Sequence, residues 1–272
     1  MIKEVKTVVF SPTGSTAALV KKVGEKIAKV LGVPVSSDNF TLPEGQKAVR
    51  SYDADTLVVF GTPTYAGRVP NKALPFVQTL FTGHDTPAVA LVTFGNRSYD
   101  SALTELAQEL TAHGFHAVSA GAFARKHAFA NIGTEHPTEA DDALLEQLVA
   151  ETAALLQKGK VPDVVIRDGA PVAPYYIPKG EDGQPAKFLK AKPKTDLTKC
   201  DHCGKCAEVC PMGSINKENT DEVPGICIKC QACIVYCPKQ AKYFDDPRFL
   251  SHKAMLEKNF QRTAASEIFV GK

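Results

Sequence analysis

Residues 5–20, VKTVVFSPTGSTAALV, decide the fold class that we predict for this chain. Residues 5–10 form a β-branched run typical of a strand, and SPTG at residues 11–14 is a turn signal. From Thr16 to Leu31 apolar residues recur at spacings of three and four, which predicts a helix with one apolar face. A strand that leads through a turn into a helix is the repeating unit of α/β folds.

The same alternation continues to residue 160. Apolar runs at 56–60, 88–94 and 115–123, with a shorter run at 33–37, predict four more strands. Periodic segments at 102–113 and 140–158 predict further helices. Residues 1–160 are therefore expected to fold as a five-stranded doubly wound parallel sheet. In such sheets ligands lie beyond the carboxyl ends of the strands.

The character of the sequence changes after residue 160. Residues 161–194 are rich in Pro, Gly and Lys and are expected to form a linker that crosses a surface. Residues 195–246 contain all eight cysteines and form a predicted small α+β domain of the ferredoxin-like class. Residues 247–272 are expected to form a short helix and a tail, whose apolar group Ile268-Phe269-Val270 packs back on a domain.

Composition and charge limit the classes of function. The chain has 32 Lys and Arg against 30 Asp and Glu, and this net charge of +2 is too small to indicate nucleic-acid binding. No apolar run approaches the roughly 18 to 20 residues that span a bilayer, and the N-terminus lacks a signal-peptide pattern. We therefore expect a cytoplasmic protein whose reduced cysteines bind metal rather than form disulfides.

The cysteines form two copies of the motif C-x2-C-x2-C-x3-C-P, offset by 27 residues. Its members are Cys200, Cys203, Cys206 and Cys210, then Cys227, Cys230, Cys233 and Cys237. The first three thiols of a copy can reach three irons of one cubane, whereas the fourth, before proline, turns towards the other cluster. The motif therefore predicts two 4Fe–4S clusters with exchanged fourth ligands. A zinc ribbon, the alternative metal site, requires two pairs of ligands at a different spacing.

A hydroxyl-rich loop follows the first predicted strand and opens the first helix. Its candidate phosphate-binding residues are Ser11, Thr13, Gly14, Ser15 and Thr16. Backbone N–H groups at a helix N-terminus attract phosphate, and the hydroxyls add neutral donors. Neither the Gly-Lys-Ser/Thr of triphosphate loops nor the G-x-G-x-x-G of dinucleotide folds is present there, so NAD(P)H binding is not predicted. The loop fits a monophosphate, with a simple Ser/Thr helix cap as the alternative.

Two further loops follow predicted strands, at residues 61–70 and 93–99. Each combines a glycine, which allows close approach of a ligand, with a tyrosine able to stack on a flat ring. The candidate binding residues are Thr62, Pro63, Thr64, Tyr65, Gly67, Phe94, Gly95, Asn96, Arg97 and Tyr99. Tyr65 and Tyr99 are the stacking candidates, because the chain has no Trp.

These motifs carry a resemblance to known families. Residues 1–160 resemble flavodoxins in the three loops, and residues 195–244 resemble bacterial two-cluster ferredoxins in the cysteine motif. The whole chain is similar to a family of flavodoxin–ferredoxin fusion proteins of anaerobic bacteria, including the segment AKYFDDP at 241–247. The resemblance implies FMN as the flavin, with the first loop on its phosphate and the other two around its ring.

One departure from free flavodoxins concerns charge around the flavin. Many free flavodoxins are strongly acidic there, whereas Arg68 and Arg97 lie in the two ring loops of this chain. Nearby cations are expected to favour the anionic reduced flavin, so the very low flavin potentials of free flavodoxins are not carried over.

Two main hypotheses follow for function. In the first, the chain is an electron-transfer flavoprotein that exchanges electrons with redox partner proteins through two 4Fe–4S clusters and FMN. In the alternative, it is an FMN-dependent reductase of a small organic acceptor such as a quinone, with His127 as the candidate proton donor. A regulatory iron–sulfur protein is a third hypothesis. The direction of electron flow and the formation of a homo-oligomer stay open.

Overall fold

A central sheet and four helices make up the N-terminal part of the chain. The computed structural model describes residues 1–272. The strands are β1 (Glu4–Val9), β2 (Val35–Asn39), β3 (Arg50–Tyr52), β4 (Thr56–Pro63), β5 (Phe81–Gly83), β6 (Thr86–Phe94) and β7 (Phe115–Ala124). The helices are α1 (Ser15–Leu31), α2 (Leu74–Leu80), α3 (Ala102–Ala112) and α4 (Glu139–Gln157).

The cysteine-rich part and the C-terminus contain shorter elements. They are β8 (Lys194–Thr195), α5 (Lys205–Glu208), α6 (Ala232–Val235), β9 (Lys242–Tyr243), α7 (Pro247–Asn259) and β10 (Glu267–Val270). Strands β8 and β9 pair antiparallel and close the cysteine-rich part. None of the helices combines the length and the apolar composition needed to cross a bilayer.

The central sheet has the strand order β10-β7-β6-β4-β1-β2. Its five strands from the N-terminal part are parallel, as predicted, and in chain order they are arranged 2-1-3-4-5. This order is that of one common doubly wound fold, in which the ligand site lies where the strand order reverses. The reversal falls between β1 and β4, so the loops after these two strands are the ones placed for a ligand.

Side chains of each strand alternate between the two faces of the sheet. Leu57 and Val59 join the core under α1 and α4, whereas Val58 and Phe60 join the core on the face covered by α3. Burial on both faces explains why these strands are continuously apolar in sequence.

The structure extends the predicted elements in two places. Residues 50–83 add the short parallel pair β3–β5 and helix α2, which the sequence pattern did not indicate. The second strand lies at Val35–Asn39 rather than 33–37, because Gly32, in a left-handed conformation, ends α1 and residues 33–34 are needed for the connection.

The C-terminal tail contributes a sixth strand, so the sheet is not five-stranded. Strand β10 pairs antiparallel with β7, and Ile268 and Val270 pack on one face of the sheet while Phe269 packs on the other. The prediction that this apolar group packs back on a domain is confirmed. Ser266 holds the start of the strand, since its hydroxyl accepts the Ala124 N–H at 3.0 Å and contacts the buried Asp141 carboxylate.

Residues 161–194 lie along the surface near the predicted ligand loops. They contain one 3-10 turn, Arg167–Gly169, and no helix or long strand before β8. The Tyr176 N–H donates to the Ala66 carbonyl at 2.8 Å, and the Tyr175 hydroxyl donates to the Val69 carbonyl at 2.9 Å. The segment therefore packs against the loop that follows β4. The predicted domain limits of 1–160 and 195–246 stay a prediction.

Candidate functional site

The first predicted loop lies at the carboxyl end of β1 and leads directly into α1. Gly14 adopts φ 88°, a left-handed conformation that favours glycine, and Ser15 begins the helix with no side-chain cap. The Ser11 hydroxyl accepts the Ala17 N–H at 3.0 Å. The side chains of Thr13 and Ser15 stay partly exposed at the helix N-terminus. Apart from the Ala17 N–H, the first N–H groups of the helix therefore have no side-chain partner, and the loop presents them with the hydroxyls of Thr13 and Ser15, as a phosphate site requires.

Thr41 belongs to the same loop cluster, although sequence reasoning missed it. Its hydroxyl accepts the Ser11 N–H at 2.7 Å, and the residue is buried just beyond the end of β2. Its position after a strand that neighbours β1 was the available signal, since carboxyl ends of parallel strands meet at one edge.

The ends of β1, β4 and β6 converge at this edge. The Thr16 and Thr93 hydroxyls lie 2.7 Å apart, and the Thr64 N–H donates to the Thr93 carbonyl at 2.7 Å. The hydroxyls of Thr62 and Thr64 are buried without any hydrogen-bond partner in the protein. Buried polar groups without partners are rare, and at a functional site they indicate a missing ligand. The hydroxyls of Thr62 and Thr64, two predicted ring-loop residues, are thus available to form hydrogen bonds with a ligand.

The predicted role of Tyr99 is corrected by the structure. Its side chain is 2 % exposed, its ring packs against Phe94 at 5.4 Å between centroids, and its hydroxyl donates to Glu267 at 2.7 Å. The Arg167 guanidinium covers a ring face at 4.1 Å. Tyr99 and the buried Phe94 are therefore core residues and do not stack on a flavin.

The side chain of Asn96 likewise forms hydrogen bonds with the C-terminal segment. Its side-chain amide donates to the carbonyls of Phe260 and Arg262 at 2.8 and 2.7 Å and accepts the Ala264 N–H at 2.9 Å. The residue is fully buried. The side chain of Asn96, a predicted flavin-binding residue, therefore has a structural role instead.

The two arginines of the ring loops are neutralised by carboxylates. Arg68 is paired with the buried Glu105, which also accepts the Val69 N–H at 2.9 Å. Arg97 is paired with Asp100. Each charge therefore already has a counter-ion, which reduces its effect on a nearby flavin, and the expectation that these cations favour the reduced flavin stays a prediction.

His127 lies under the loop that follows β6. A Cβ placed on Gly95 would be 2.3 Å from His127 Cδ2, so only glycine fits there. His127 Nδ1 accepts the N–H groups of Phe129 and Ala130 at 3.3 and 3.1 Å. Although part of the side chain is exposed, burial of the ring, with the charges of His252 and Arg97, lowers the pKa of His127 to about 4. The imidazole of His127 is therefore neutral at pH 7, and it stabilises its own loop by accepting these two backbone hydrogen bonds.

The eight cysteines line two separate cavities. The inner cavity is lined by Cys210, Cys227, Cys230 and Cys233, and the outer cavity by Cys200, Cys203, Cys206 and Cys237. Each cavity thus takes three cysteines from one copy of the motif and the fourth from the other copy. No three or more His, Cys, Asp or Glu side chains lie close enough together for a single metal ion.

The fourth cysteine of each copy has the same local geometry. Cys210 Sγ accepts the Ser214 N–H at 3.3 Å, and Cys237 Sγ accepts the Ala241 N–H at 3.2 Å. Both bonds join a cysteine to the residue four positions later. The duplication seen in the sequence is therefore also a structural repeat.

The inner cavity is the more buried of the two. Burial raises the pKa of the Cys230 thiol to about 12 and also raises the pKa values of the Cys227 and Cys233 thiols. These thiols are protonated at neutral pH without metal, so metal binding must release their protons. Cys203, in the outer cavity, is exposed.

Comparison with known proteins adds independent support for the cysteine-rich part. A family model described as a 4Fe-4S binding domain matches residues 192–215. An uncharacterized ferredoxin of Methanocaldococcus jannaschii is 37% identical over 73 residues, which are 25% of this chain and 50% of the relative. The chain therefore spans about half the length of that curated relative.

Solved structures similar to this chain cover its N-terminal part. They include rubredoxin:oxygen oxidoreductase of Desulfovibrio gigas, with 17% identity, a TM-score of 0.41 and coverage of 57% of this chain and 36% of that chain. A flavodoxin from the domain Archaea has 15% identity and a TM-score of 0.40, and a flavodoxin of Streptococcus pneumonia TIGR4 has 18% and 0.40. Each of the two flavodoxins covers 57% of this chain and 99% of its own.

The strand order of the sheet and the match of the cysteine motif decide the architecture. The chain joins a flavodoxin-like domain to a ferredoxin-type domain. The ferredoxin-type domain is docked on the predicted flavin loops. Ile228, between two cysteines of the inner cavity, packs against the core of the flavodoxin-like domain. Gln46 bridges the domains, since its amide donates to the Thr41 and Pro211 carbonyls at 3.0 and 2.9 Å.

Tyr65 lies in the ring loop, near two thiols of the inner cavity. It belongs to a tight turn in which its N–H donates to the Arg68 carbonyl at 2.9 Å. Burial, with the nearby thiols of Cys230 and Cys227, raises the pKa of Tyr65 well above its usual value. Of the two tyrosines predicted to stack, Tyr65 is the one that stays partly exposed, and its contact with a flavin ring stays a prediction.

The ferredoxin-type domain also reaches the phosphate loop. A Cβ placed on Gly14 would lie 3.0 Å from the Tyr236 hydroxyl. Tyr236 directly precedes Cys237 of the outer cavity. Sequence reasoning missed Tyr236, because no local pattern distinguishes a tyrosine that contacts a distant loop.

We expect Gly14→Ala to weaken FMN binding by tenfold or more. The substitution forces a left-handed conformation on alanine, at about 1–2 kcal/mol, and places a methyl group against Tyr236 in the phosphate loop. Gly32→Ala is the matched control, because Gly32 has φ 69° and nothing within 4 Å of a Cβ. Titration of the apoprotein followed by flavin fluorescence measures the affinity. Equal affinities in the two variants would contradict a phosphate site at Gly14.

Proposed function

We propose that this chain is an electron-transfer flavoprotein, in which the flavodoxin-like domain holds FMN and the ferredoxin-type domain holds two 4Fe–4S clusters. The observation that carries the proposal is the docking of the ferredoxin-type domain on the flavodoxin-like domain beside the inner cavity. Ile228, which lines this cavity, packs on the core of the flavodoxin-like domain, and Gln46 donates to the carbonyl of Pro211, another lining residue, at 2.9 Å. A domain arrangement of this kind supports electron exchange within one chain. When bound, FMN exchanges one or two electrons and each cluster exchanges one.

The chemical groups at the predicted flavin loops match those that FMN binding requires. The N-terminus of α1, where the N–H groups of Ser15 and Thr16 have no side-chain partner, would hold the phosphate without a lysine, and the partly exposed hydroxyls of Thr13 and Ser15 would add donors. The unpartnered hydroxyls of Thr62 and Thr64 would supply hydrogen bonds near the ring, and Tyr65 an aromatic surface.

The eight cysteines fit two clusters in number and placement. Cys210, Cys227, Cys230 and Cys233 would hold the inner cluster, and the four cysteines of the outer cavity would hold the other. Because Cys203 is exposed, a redox partner protein would approach the outer cavity, while the inner cavity faces the flavodoxin-like domain.

The alternative, reduction of a small organic acceptor at the flavin, has less support. Its candidate proton donor, His127, is neutral at pH 7 and uses Nδ1 to accept backbone N–H groups. The loop after β4 is contacted by Tyr175 and Tyr176 of the linker segment and by the ferredoxin-type domain. These contacts leave the proposal of protein-to-protein electron transfer as the one that the geometry favours.

A content analysis tests the cofactors of this proposal. We expect the protein purified without oxygen to contain one FMN and about eight iron and eight sulfide per chain. Mass analysis of the extracted flavin distinguishes FMN from FAD, and FAD as the only flavin would overturn the monophosphate site. Iron without sulfide would point to mononuclear metal binding instead.

Rapid mixing tests the transfer itself. We expect a reductant that delivers electrons to the clusters to reduce the flavin at a rate independent of protein concentration, because both sites lie in one chain. Clusters that stay reduced beside oxidised flavin would show that the domains are not electronically connected. Steady-state turnover with a quinone, and none with redox proteins, would favour the reductase alternative.

A further inference from the structure

Lys242 is a buried lysine in the ferredoxin-type domain. It lies in β9 opposite Thr195 of β8 and is 4% exposed. Its Nζ donates to Thr195 Oγ1 at 2.6 Å and to the Thr220 carbonyl. Lysine has three N–H donors, so these neutral oxygens satisfy two of them.

No carboxylate neutralises this ammonium. The nearby Asp245 is paired with Lys194 at 2.8 Å, and Asp201 is paired with Lys239 at 3.7 Å, both at the surface. A buried charge without a counter-ion is strongly destabilising, so native proteins rarely contain one. A bound anion would therefore stabilise the buried Lys242 ammonium, because no side chain of the protein supplies a negative charge there.

The outer cavity lies where that anion is needed. Lys242 lines the outer cavity together with its four cysteines. Thr220, which accepts from Lys242, has its hydroxyl 4.0 Å from Cys200 Sγ. A 4Fe–4S core with four thiolates carries a net charge of about −2 when oxidised and one more negative charge when reduced.

We propose that Lys242 is the buried counter-ion of the cluster in the outer cavity, and that its charge raises the reduction potential of that cluster above that of the inner one. This inference rests on the proposed function, since it requires both clusters. A fixed cation stabilises the reduced cluster more than the oxidised one, because the reduced cluster carries the extra negative charge. Burial of Lys242 keeps water from screening this attraction.

No fully buried lysine lines the inner cavity. Eleven of its sixteen lining residues are hydrophobic, including Ile215, Ile228 and Phe244. Its one lysine, Lys229, is only half-buried, and its Nζ donates to the backbone carbonyls of Leu189 and Cys227. A largely apolar environment with one half-buried lysine stabilises the more negative reduced cluster less than a buried lysine does, so the outer cluster is expected to be reduced first.

The test compares Lys242→Met with Lys229→Met and Lys242→Arg in the full chain. Reductive titrations followed by electron paramagnetic resonance give the potential of each cluster, with iron content measured in parallel. We expect Lys242→Met to shift the reduction equilibrium of one cluster tenfold or more towards the oxidised form, a fall of about 59 mV for a one-electron couple. Lys229→Met should shift either cluster by less than threefold, and Lys242→Arg should retain the original potential.

Loss of the cluster in Lys242→Met gives a second readout. A fall to about four iron atoms per chain, restored in Lys242→Arg, would support the counter-ion role, because only the charge is common to wild type and the rescue variant. Loss in both variants would overturn it, since the site would then need the shape of lysine rather than its charge. Unchanged potentials with full iron content in Lys242→Met would also overturn it. Absence of clusters from the wild type would instead overturn the proposed function.

Discussion

Cys237→Ser is expected to abolish or strongly perturb the cluster associated with Cys200, Cys203 and Cys206, although Cys237 belongs to the second copy of the motif. The structure places these four cysteines around the outer cavity. Loss of a thiolate ligand removes one of four iron–sulfur bonds that hold a cluster. Iron content should fall from about eight towards about four per chain, with the magnetic signal of one cluster lost.

Cys210→Ser is the reciprocal control. Cys210 lines the inner cavity, and its Sγ accepts a backbone N–H in the same geometry as that of Cys237. It should therefore affect the other cluster, so that the two variants lose different magnetic signals. If Cys237→Ser damages the same cluster as Cys233→Ser, each copy of the motif holds its own cluster and the exchanged ligation is wrong.

Glu105→Ala is expected to lower the free energy of unfolding by about 3–5 kcal/mol. The Glu105 side chain is 3% exposed and is the counter-ion of Arg68, whose guanidinium also donates to the Ala173 carbonyl at 2.8 Å. Removal of the carboxylate leaves a largely buried cation and the Val69 N–H without their partner. Because both groups lie beside the Tyr65–Arg68 turn, FMN affinity should fall as well.

Glu109→Ala on the same helix is the matched control. Glu109 is half-buried, and its side chain accepts a single hydrogen bond from Gln78 at 2.9 Å. Its loss should cost no more than about 1 kcal/mol. Urea unfolding of both variants measures the difference, and equal losses would contradict a special role for the Arg68–Glu105 pair.

Local sequence patterns predicted the helices and strands of the sheet closely. The predicted helix at 16–31 is α1 (Ser15–Leu31), and the predicted strand at 115–123 is β7 (Phe115–Ala124). These elements have strong hydrophobic periodicity, which is a local property. The short elements β3, β5 and α2 were missed, because three- to seven-residue segments carry too little periodicity to recognise.

The predictions for the flavin loops were less uniform. Tyr65 and Tyr99 look equivalent in sequence, yet Tyr65 stays partly exposed in its loop, whereas Tyr99 is packed in the core against Phe94. The difference is decided by residues more than sixty positions away, including Glu267, which takes the Tyr99 hydroxyl. No pattern within one loop contains that information.

The sequence by itself determined the α/β alternation, the hydroxyl-rich loop after the first strand and the duplicated cysteine motif, because each depends on spacing along a short segment. Only the tertiary structure decided that β10 completes the sheet, that Arg68 and Arg97 are paired with carboxylates, and that Ile228, beside the inner cavity, packs on the flavodoxin-like domain. These features depend on burial and on charges brought together from distant segments. A buried Lys242 without a carboxylate is visible only once the fold has excluded water around it.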